Sequence, residues 1–381
     1  MELYVHIPFC VRKCRYCSFA SFAASEAEQE AYIRLLLKEA GSRRGEMTEP
    51  VSTVYIGGGT PSLLPPRLFR GMADGLRGIF GLDDVTEFTS EANPGTVTRE
   101  WLDTAAAAGV NRLSFGMQAF REDLLCLLGR IHRFGDVQDS VAMAREAGFS
   151  NISLDLMFGI PTQTRSMWKE TLDHAISLHP EHISAYGLIP EEGTPLFRDL
   201  ESGALSLPDP EEEREMYDDA IKLLSANGFR QYEISNFALH GRECAHNIGY
   251  WTQVPYLGLG LSAASMTGVR TGPEGMSYRR MTNPDTFEAY RRSVETENPP
   301  QAETVTAEEA RFETMMLGLR MNRGVSIGDF MIKHGLSPDE CFGDRLHSLE
   351  DRGLVIRENG FLRLSRRGFD IQNSILVELM D

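Results

Sequence analysis

Between residues 3 and 226 the chain repeats one pattern six times: a short run of apolar and β-branched residues, then a longer stretch whose apolar positions recur at helical spacing. The pattern predicts strands over residues 3–7, 53–57, 87–92, 112–116, 151–157 and 182–188. It predicts helices over residues 26–41, 66–80, 99–108, 134–147, 166–178 and 210–226. Strands separated by helices signal a parallel sheet with its helices outside. Six units predict an α/β fold, a partial (β/α)6 TIM-like barrel over residues 1–230, because a closed eight-stranded barrel needs about 250 residues of unbroken repeat.

Beyond residue 230 the pattern changes twice. Residues 231–298 are glycine-rich and lack a period, which predicts an irregular segment crossing the barrel mouth. After Asn298-Pro299-Pro300, residues 301–381 read as a separate small domain. Its helices are expected over 307–319, 327–334 and 345–352, and its strands over 354–357 and 361–364, turning at Glu358-Asn359-Gly360. Helices followed by a hairpin predict a winged-helix-like module. An acidic segment precedes it, so it is read as an accessory lid or partner surface rather than a DNA binder.

The formal net charge of −17 over 381 residues argues against a general nucleic-acid binder, since such proteins are usually basic. No apolar run approaches the roughly 18 residues of a spanning helix, and the chain opens on a strand with no signal-peptide pattern. The expectation is a cytoplasmic protein without a transmembrane segment, whose contact with any membrane is peripheral. Of six cysteines, Cys126, Cys244 and Cys341 are scattered singly and give no disulfide framework.

Candidate chemistry begins with Cys10, Cys14 and Cys17, spaced C-x3-C-x2-C. Three thiolates are one short of a closed tetrahedral zinc site, whereas a [4Fe–4S] cube held at three corners keeps one iron open. A zinc site completed by a distant His, or three unrelated thiols, are the alternatives. Gly57-Gly58-Gly59-Thr60-Pro61 follows the second strand, where glycines let the backbone approach a ligand. Glu91 closes the third strand, and carboxylates at the C-terminal ends of barrel strands face the active side. Gln118 lies just past the fourth strand, and Arg130 comes twelve residues later. Asp155 is an acid in an apolar strand, costly to bury unpaired, so it either bonds ribose hydroxyls at the mouth or pairs with Arg130.

The cysteine run resembles the signature of the radical S-adenosylmethionine (SAM) superfamily. That resemblance implies a [4Fe–4S] cluster on Cys10, Cys14 and Cys17 and SAM as cofactor, its amino and carboxylate groups on the fourth iron. It implies SAM contacts from Tyr4, Tyr16, Gly58, Gly59, Thr60 and Glu91, and further ones from Gln118, Arg130 and Asp155. Residues 4–17, 57–61, 112–120, 128–132 and 155–161 together resemble the family of oxygen-independent coproporphyrinogen III oxidases, and the likeness extends over the C-terminal module.

Three features are similar to the heme-chaperone branch of that family. Phe19 stands where the oxidases carry a fourth cysteine; only nine residues precede Cys10, where the oxidases have a long extension; and residues 246–251 reproduce an H-N-x-x-Y-W motif. The branch implies a protein that carries heme as cargo to acceptor hemoproteins, with flavodoxin or ferredoxin as electron donor. For heme, the motif suggests His246 as axial ligand among Asn247, Tyr250 and Trp251, with Cys244 as rival ligand, because imidazole ligates iron and flat rings stack on a macrocycle. The alternative function is the oxidase reaction itself, SAM-dependent radical decarboxylation of coproporphyrinogen III.

Overall fold

The computed structural model describes residues 1–272 and 274–380. Six parallel strands lie side by side in sequence order: β1 (Glu2–Ile7), β2 (Thr53–Gly58), β3 (Glu87–Ala92), β4 (Arg112–Gln118), β5 (Ile152–Phe158) and β6 (His182–Gly187). The helices between them are α1 (Glu26–Arg43), α2 (Pro66–Phe80), α3 (Arg99–Ala107), α4 (Glu122–Leu128), α5 (Phe134–Glu146) and α6 (Arg165–Ser177). After β6 come α7 (Pro195–Glu201) and α8 (Pro210–Ala226). Helix starts follow local chemistry: Ser25 and Glu28 form a capping box on α1, and Pro66 sits in the first turn of α2.

Period-two alternation sorts each strand into two faces. Leu3, Val5, Ile7, Val54, Ile56 and Leu113 join Tyr32, Leu36, Phe69, Trp101 and Trp168 from the helices in one outer core. Burying each large side chain stabilises by about 1.5–3 kcal/mol. The alternate positions turn inward and are mostly polar: Tyr4, Tyr55, Glu91, Ser114, Asp155 and Ser184 among them. A packed barrel interior is dominated by branched apolar residues. This lumen is built for a ligand.

The described residues of 231–298 form strands and helices and do not cross the mouth, contrary to the reading from sequence. They contribute to a 12-stranded sheet in the order β12-β11-β10-β9-β1-β2-β3-β4-β5-β6-β8-β7. One edge is the ribbon of β7 (Arg230–Gln231) and β8 (Asn236–Ala238), which runs antiparallel to β6. On the other side β9 (Tyr256–Leu259) joins β1 in parallel, with Glu2 opposite Tyr256, and is followed by β10 (Ala264–Gly272), β11 (Gly275–Thr282) and β12 (Glu303–Val305). Between them α9 (Ala245–Trp251) closes the end of the barrel where the strands start, and α10 (Phe287–Glu295) packs outside. These elements are short, so no local period announces them.

The C-terminal unit runs α11 (Ala307–Gly318), β13 (Val325–Ser326), α12 (Ile327–His334), α13 (Pro338–Asp351), β14 (Val355–Glu358) and β15 (Phe361–Leu364), then α14 (Arg366–Asp370) and α15 (Gln372–Met380). Its three-stranded sheet has the order β13-β15-β14, the winged-helix arrangement. Met315, Phe330, Leu346, Leu362 and Ile375 form its own core. Helix α13 begins earlier than the predicted residue 345 because Ser337 and Glu340 cap it reciprocally. Asn322 ties the unit to the barrel through Gln231 O at 2.9 Å. No helix among the described residues is long and apolar enough to cross a membrane.

Candidate functional site

The cysteine loop leaves β1 and is pinned before it reaches α1. Cys10 N donates to Phe22 O at 3.0 Å and Phe22 N to Pro8 O at 2.8 Å. Phe9, buried, packs edge-on against Phe22 and Tyr32. Arg15 N reaches Leu128 O at 2.9 Å, fastening the middle of the loop to the end of α4. These anchors hold Cys10, Cys14 and Cys17, all free and half-buried, around one cavity of about 370 Å³. Burial pushes the Cys17 thiol up. Among the described residues no three His, Cys, Asp or Glu side chains close on a single metal ion, whereas the three thiols border a shared volume.

The same cavity gathers Tyr16, Gly58, Gly59, Glu91, Gln118, Arg130, Asp155 and Asn247. Glu91 accepts from Tyr55 OH at 2.9 Å and from Gly58 N at 3.0 Å. Burial, reinforced by nearby Asp155, raises its carboxyl to about 7. Asp155 accepts from Ser114 Oγ at 3.0 Å and is likewise raised by burial, against hydrogen bonds from Ser184 and Ser114. It does not pair directly with Arg130, whose Nη2 donates to Asn93 Oδ1 at 2.7 Å and Gly116 O at 2.6 Å. The Nη1 of Arg130 points at Cys14 Sγ, 3.6 Å away. A cation thus stands beside a thiol that must be a thiolate to bind metal.

Local backbone explains the placement. A Cβ on Gly58, whose φ is +108°, would fall 2.4 Å from the His6 ring, and one on Gly59 would fall 2.8 Å from Ile7 O. Only glycine fits between β1 and the cavity. Gln118 adopts φ of 63° just past an irregularity in the β4–β5 pairing, a sparsely populated conformation that aims its side chain inward.

Two predicted residues stand back from the cavity. Tyr4 OH meets His6 Nδ1 at 3.0 Å, and His6 Nε2 meets Ala20 O at 3.0 Å, so Tyr4 steadies the cysteine loop through His6. Thr60 accepts from Asn93 Nδ2 at 2.8 Å, with its Oγ1 3.6 Å from Cys10 Sγ. Conversely Tyr55, Arg112, Ser114, Ser184 and Tyr186 line the cavity and were not singled out from sequence. The signal was their inward phase on strands that also carry Glu91 and Asp155.

The H-N-x-x-Y-W motif lies at the opposite end of the lumen, on α9. His246 is fully buried. Its Nδ1 bonds Thr53 Oγ1 at 2.7 Å and its Nε2 bonds Tyr250 OH at 2.9 Å. Burial, then the charge of Arg112, lowers its pKa to about 3. With both nitrogens engaged the imidazole is not available as an axial ligand in this conformation, and the reading of His246 as heme ligand finds no support in the geometry. Cys244 Sγ donates to Glu87 Oε1 at 3.4 Å, and burial pushes its thiol up to about 12, away from the thiolate a metal needs. Trp251 faces the C-terminal unit, with the Arg320 guanidinium 5.7 Å from its ring. Asn247 alone of the motif reaches the cavity.

Comparison with known proteins agrees with this geometry. The Radical SAM superfamily model matches residues 4–175, and the HemN C-terminal domain model matches residues 305–371. The heme chaperone HemW of Bacillus subtilis is 38% identical over 376 residues, covering 98% of this chain and 97% of that protein. The mitochondrial radical S-adenosyl methionine domain-containing protein 1 of Bos taurus is 33% identical, covering 99% and 87%. Among solved structures, the coproporphyrinogen III oxidase HemN of Escherichia coli shares the fold, with a TM-score of 0.84 over 99% of this chain and 89% of that one at 23% identity. With its cysteine loop over a polar lumen and identity sustained from end to end, the chain belongs to the HemW family of the radical SAM superfamily.

Proposed function

We propose that the protein is a heme carrier: it binds heme and delivers it to acceptor hemoproteins, using a [4Fe–4S] cluster on Cys10, Cys14 and Cys17 and SAM in the adjoining lumen. The observation that carries the cofactor part is the convergence of three thiols, the Gly58-Gly59 backbone, Glu91, Arg130 and Asp155 on one cavity. The donor set fits, because soft thiolates suit an iron–sulfur cluster and the cavity volume lies in the range of small-molecule sites. When bound, the cluster and SAM supply one-electron chemistry at the sulfonium. Arg130 offsets thiolate charge at Cys14. Glu91 and Asp155, each already held by a hydroxyl, offer their free lone pairs to the amino and ribose groups of SAM. The barrel wall and α9 keep water from the far side.

The carrier part is supported by the names of the relatives and by Phe19, which is 63% exposed at the cavity edge where the oxidases carry a cysteine. Val11 and Ile131, also exposed, border the adjoining hollow beside Cys14 and Arg130, an apolar surface suited to a partner that brings electrons, reduced flavodoxin or ferredoxin, or takes heme. In this reading the protein works in the cytoplasm. Likeness of fold to HemN does not by itself transfer the oxidase reaction. The test is anaerobic reconstitution, then heme titration beside incubation with coproporphyrinogen III, SAM and a reductant. Stoichiometric heme binding without protoporphyrinogen is expected; turnover of coproporphyrinogen would establish the oxidase instead.

A further inference from the structure

The floor of the cavity holds a charged group that the proposed cofactor contacts leave out. Arg112 opens β4, is 2% exposed, and lines the cavity from below. Its Nε is buried without a hydrogen-bond partner among the described residues. None of the neighbouring carboxylates hydrogen-bonds it among the described residues. Glu91 is held by Tyr55 and Gly58, Asp155 by Ser114, and Glu87 by Cys244 and the backbone of Ala245 and His246. A guanidinium presents five N–H donors in a planar fork matched to a carboxylate, and burying that charge without hydrogen bonds is costly. An acid bound from outside would give that donor a partner.

The position limits which acid. Arg112 precedes Ser114 by one same-face step, about 7 Å down the strand, and so lies beneath the level of Glu91, Ser114 and Asp155. The proposed SAM amino-acid group belongs above that level, at the Gly58-Gly59 turn beside the cysteines. Among its polar groups the wall also carries the large faces of Phe19, Met157, Tyr55 and Tyr186. Those faces suit a flat ring, and the guanidinium suits an acidic arm on it. We propose that Arg112 is a carboxylate-binding residue that takes a propionate of the tetrapyrrole. The proposal rests on the heme-carrier reading.

The test uses full-length, anaerobically reconstituted protein titrated with heme and with heme dimethyl ester, whose two carboxylates are blocked. Wild-type protein should bind heme at least about tenfold tighter than the ester, the range of a charge-assisted pair. Arg112→Gln should bind both alike, Arg112→Lys should recover part of the gap, and SAM affinity by calorimetry should stay unchanged in all three proteins. Equal binding of heme and ester by the wild type needs no variant to fold, and it would overturn this assignment while leaving the carrier reading intact. A gap that survives Arg112→Gln would overturn it too. Tenfold loss of SAM affinity in Arg112→Gln, with the gap unchanged, would hand the guanidinium to the carboxylate of SAM. If wild-type protein binds no heme, both the carrier reading and this assignment fall.

Discussion

The two ends of one lumen make opposite use of the same chemistry. At the end beneath the cysteine loop, Glu91, Asp155 and Arg130 are each held by protein groups and still face an open cavity. At the end closed by α9, His246, Cys244 and Glu87 bond one another, Thr53 and the α9 backbone. Gly249 lets the helix settle there, since a Cβ would fall 1.8 Å from Glu2 Oε1. Polar groups near the strand ends thus keep bonding capacity toward the cavity, whereas those packed against α9 spend theirs on one another; Arg112, although it opens β4, belongs with the first set because it lines the cavity.

Cysteine replacement tests the contrast most severely. Changing any of Cys10, Cys14 or Cys17 to Ala should abolish the cluster, read as iron content and visible absorbance after reconstitution, whereas Cys244→Ala should keep it. Equal loss in Cys244→Ala would erase the distinction between the ends.

Next in size is His246→Ala. Removing both hydrogen bonds and orphaning the buried Thr53 and Tyr250 hydroxyls should cost about 2–4 kcal/mol in denaturant titration. A shifted heme Soret band at unchanged stability would instead show that α9 opens and that the motif ligates heme.

At the open end, Glu91→Ala and Asp155→Ala should each weaken SAM binding about tenfold to a hundredfold, the worth of one charged hydrogen bond, with iron content preserved. Calorimetry on the reconstituted variants checks this, and unchanged affinity in both would make these carboxylates structural.

The last effect concerns pH. Burial raises the Glu91 carboxyl from 4.5 to about 7. The folded state then keeps a proton that the unfolded chain releases, so this contribution to stability is fully present below pH 4.5 and is lost as pH rises through 7. Cofactor-free protein should lose about 2 kcal/mol from this source between pH 5 and 7.5. Glu91→Gln should remove that part of the slope in paired denaturation curves.

Much of this was legible in the sequence because the six β/α units repeat an apolar period over lengths that local pattern can register. The cysteine spacing, Gly58-Gly59 and Glu91 were legible because each breaks that pattern where a strand ends. Residues 231–298 were not, because β9 owes its place to β1, far away in the chain, and α9 has only 7 residues. Arg112 escaped notice although it begins a predicted strand. Inward phase is visible in a sequence, but the emptiness above a side chain is not. The His246 motif misled in the complementary way: its residue types suit heme, yet Thr53 and Tyr250 had already taken the imidazole.

The pairing of β1 with β9 also sets a schedule. Glu2 meets Tyr256 across that ladder, and at roughly 5–20 residues per second a ribosome needs on the order of 10–50 s to make the intervening chain. Until then the strand that leads into the cysteine loop has an unpaired edge, the kind of template on which chains mispair. Closing so long a loop also slows folding. The cysteine loop is thus translated first, and the strand that carries it is braced on both edges only late.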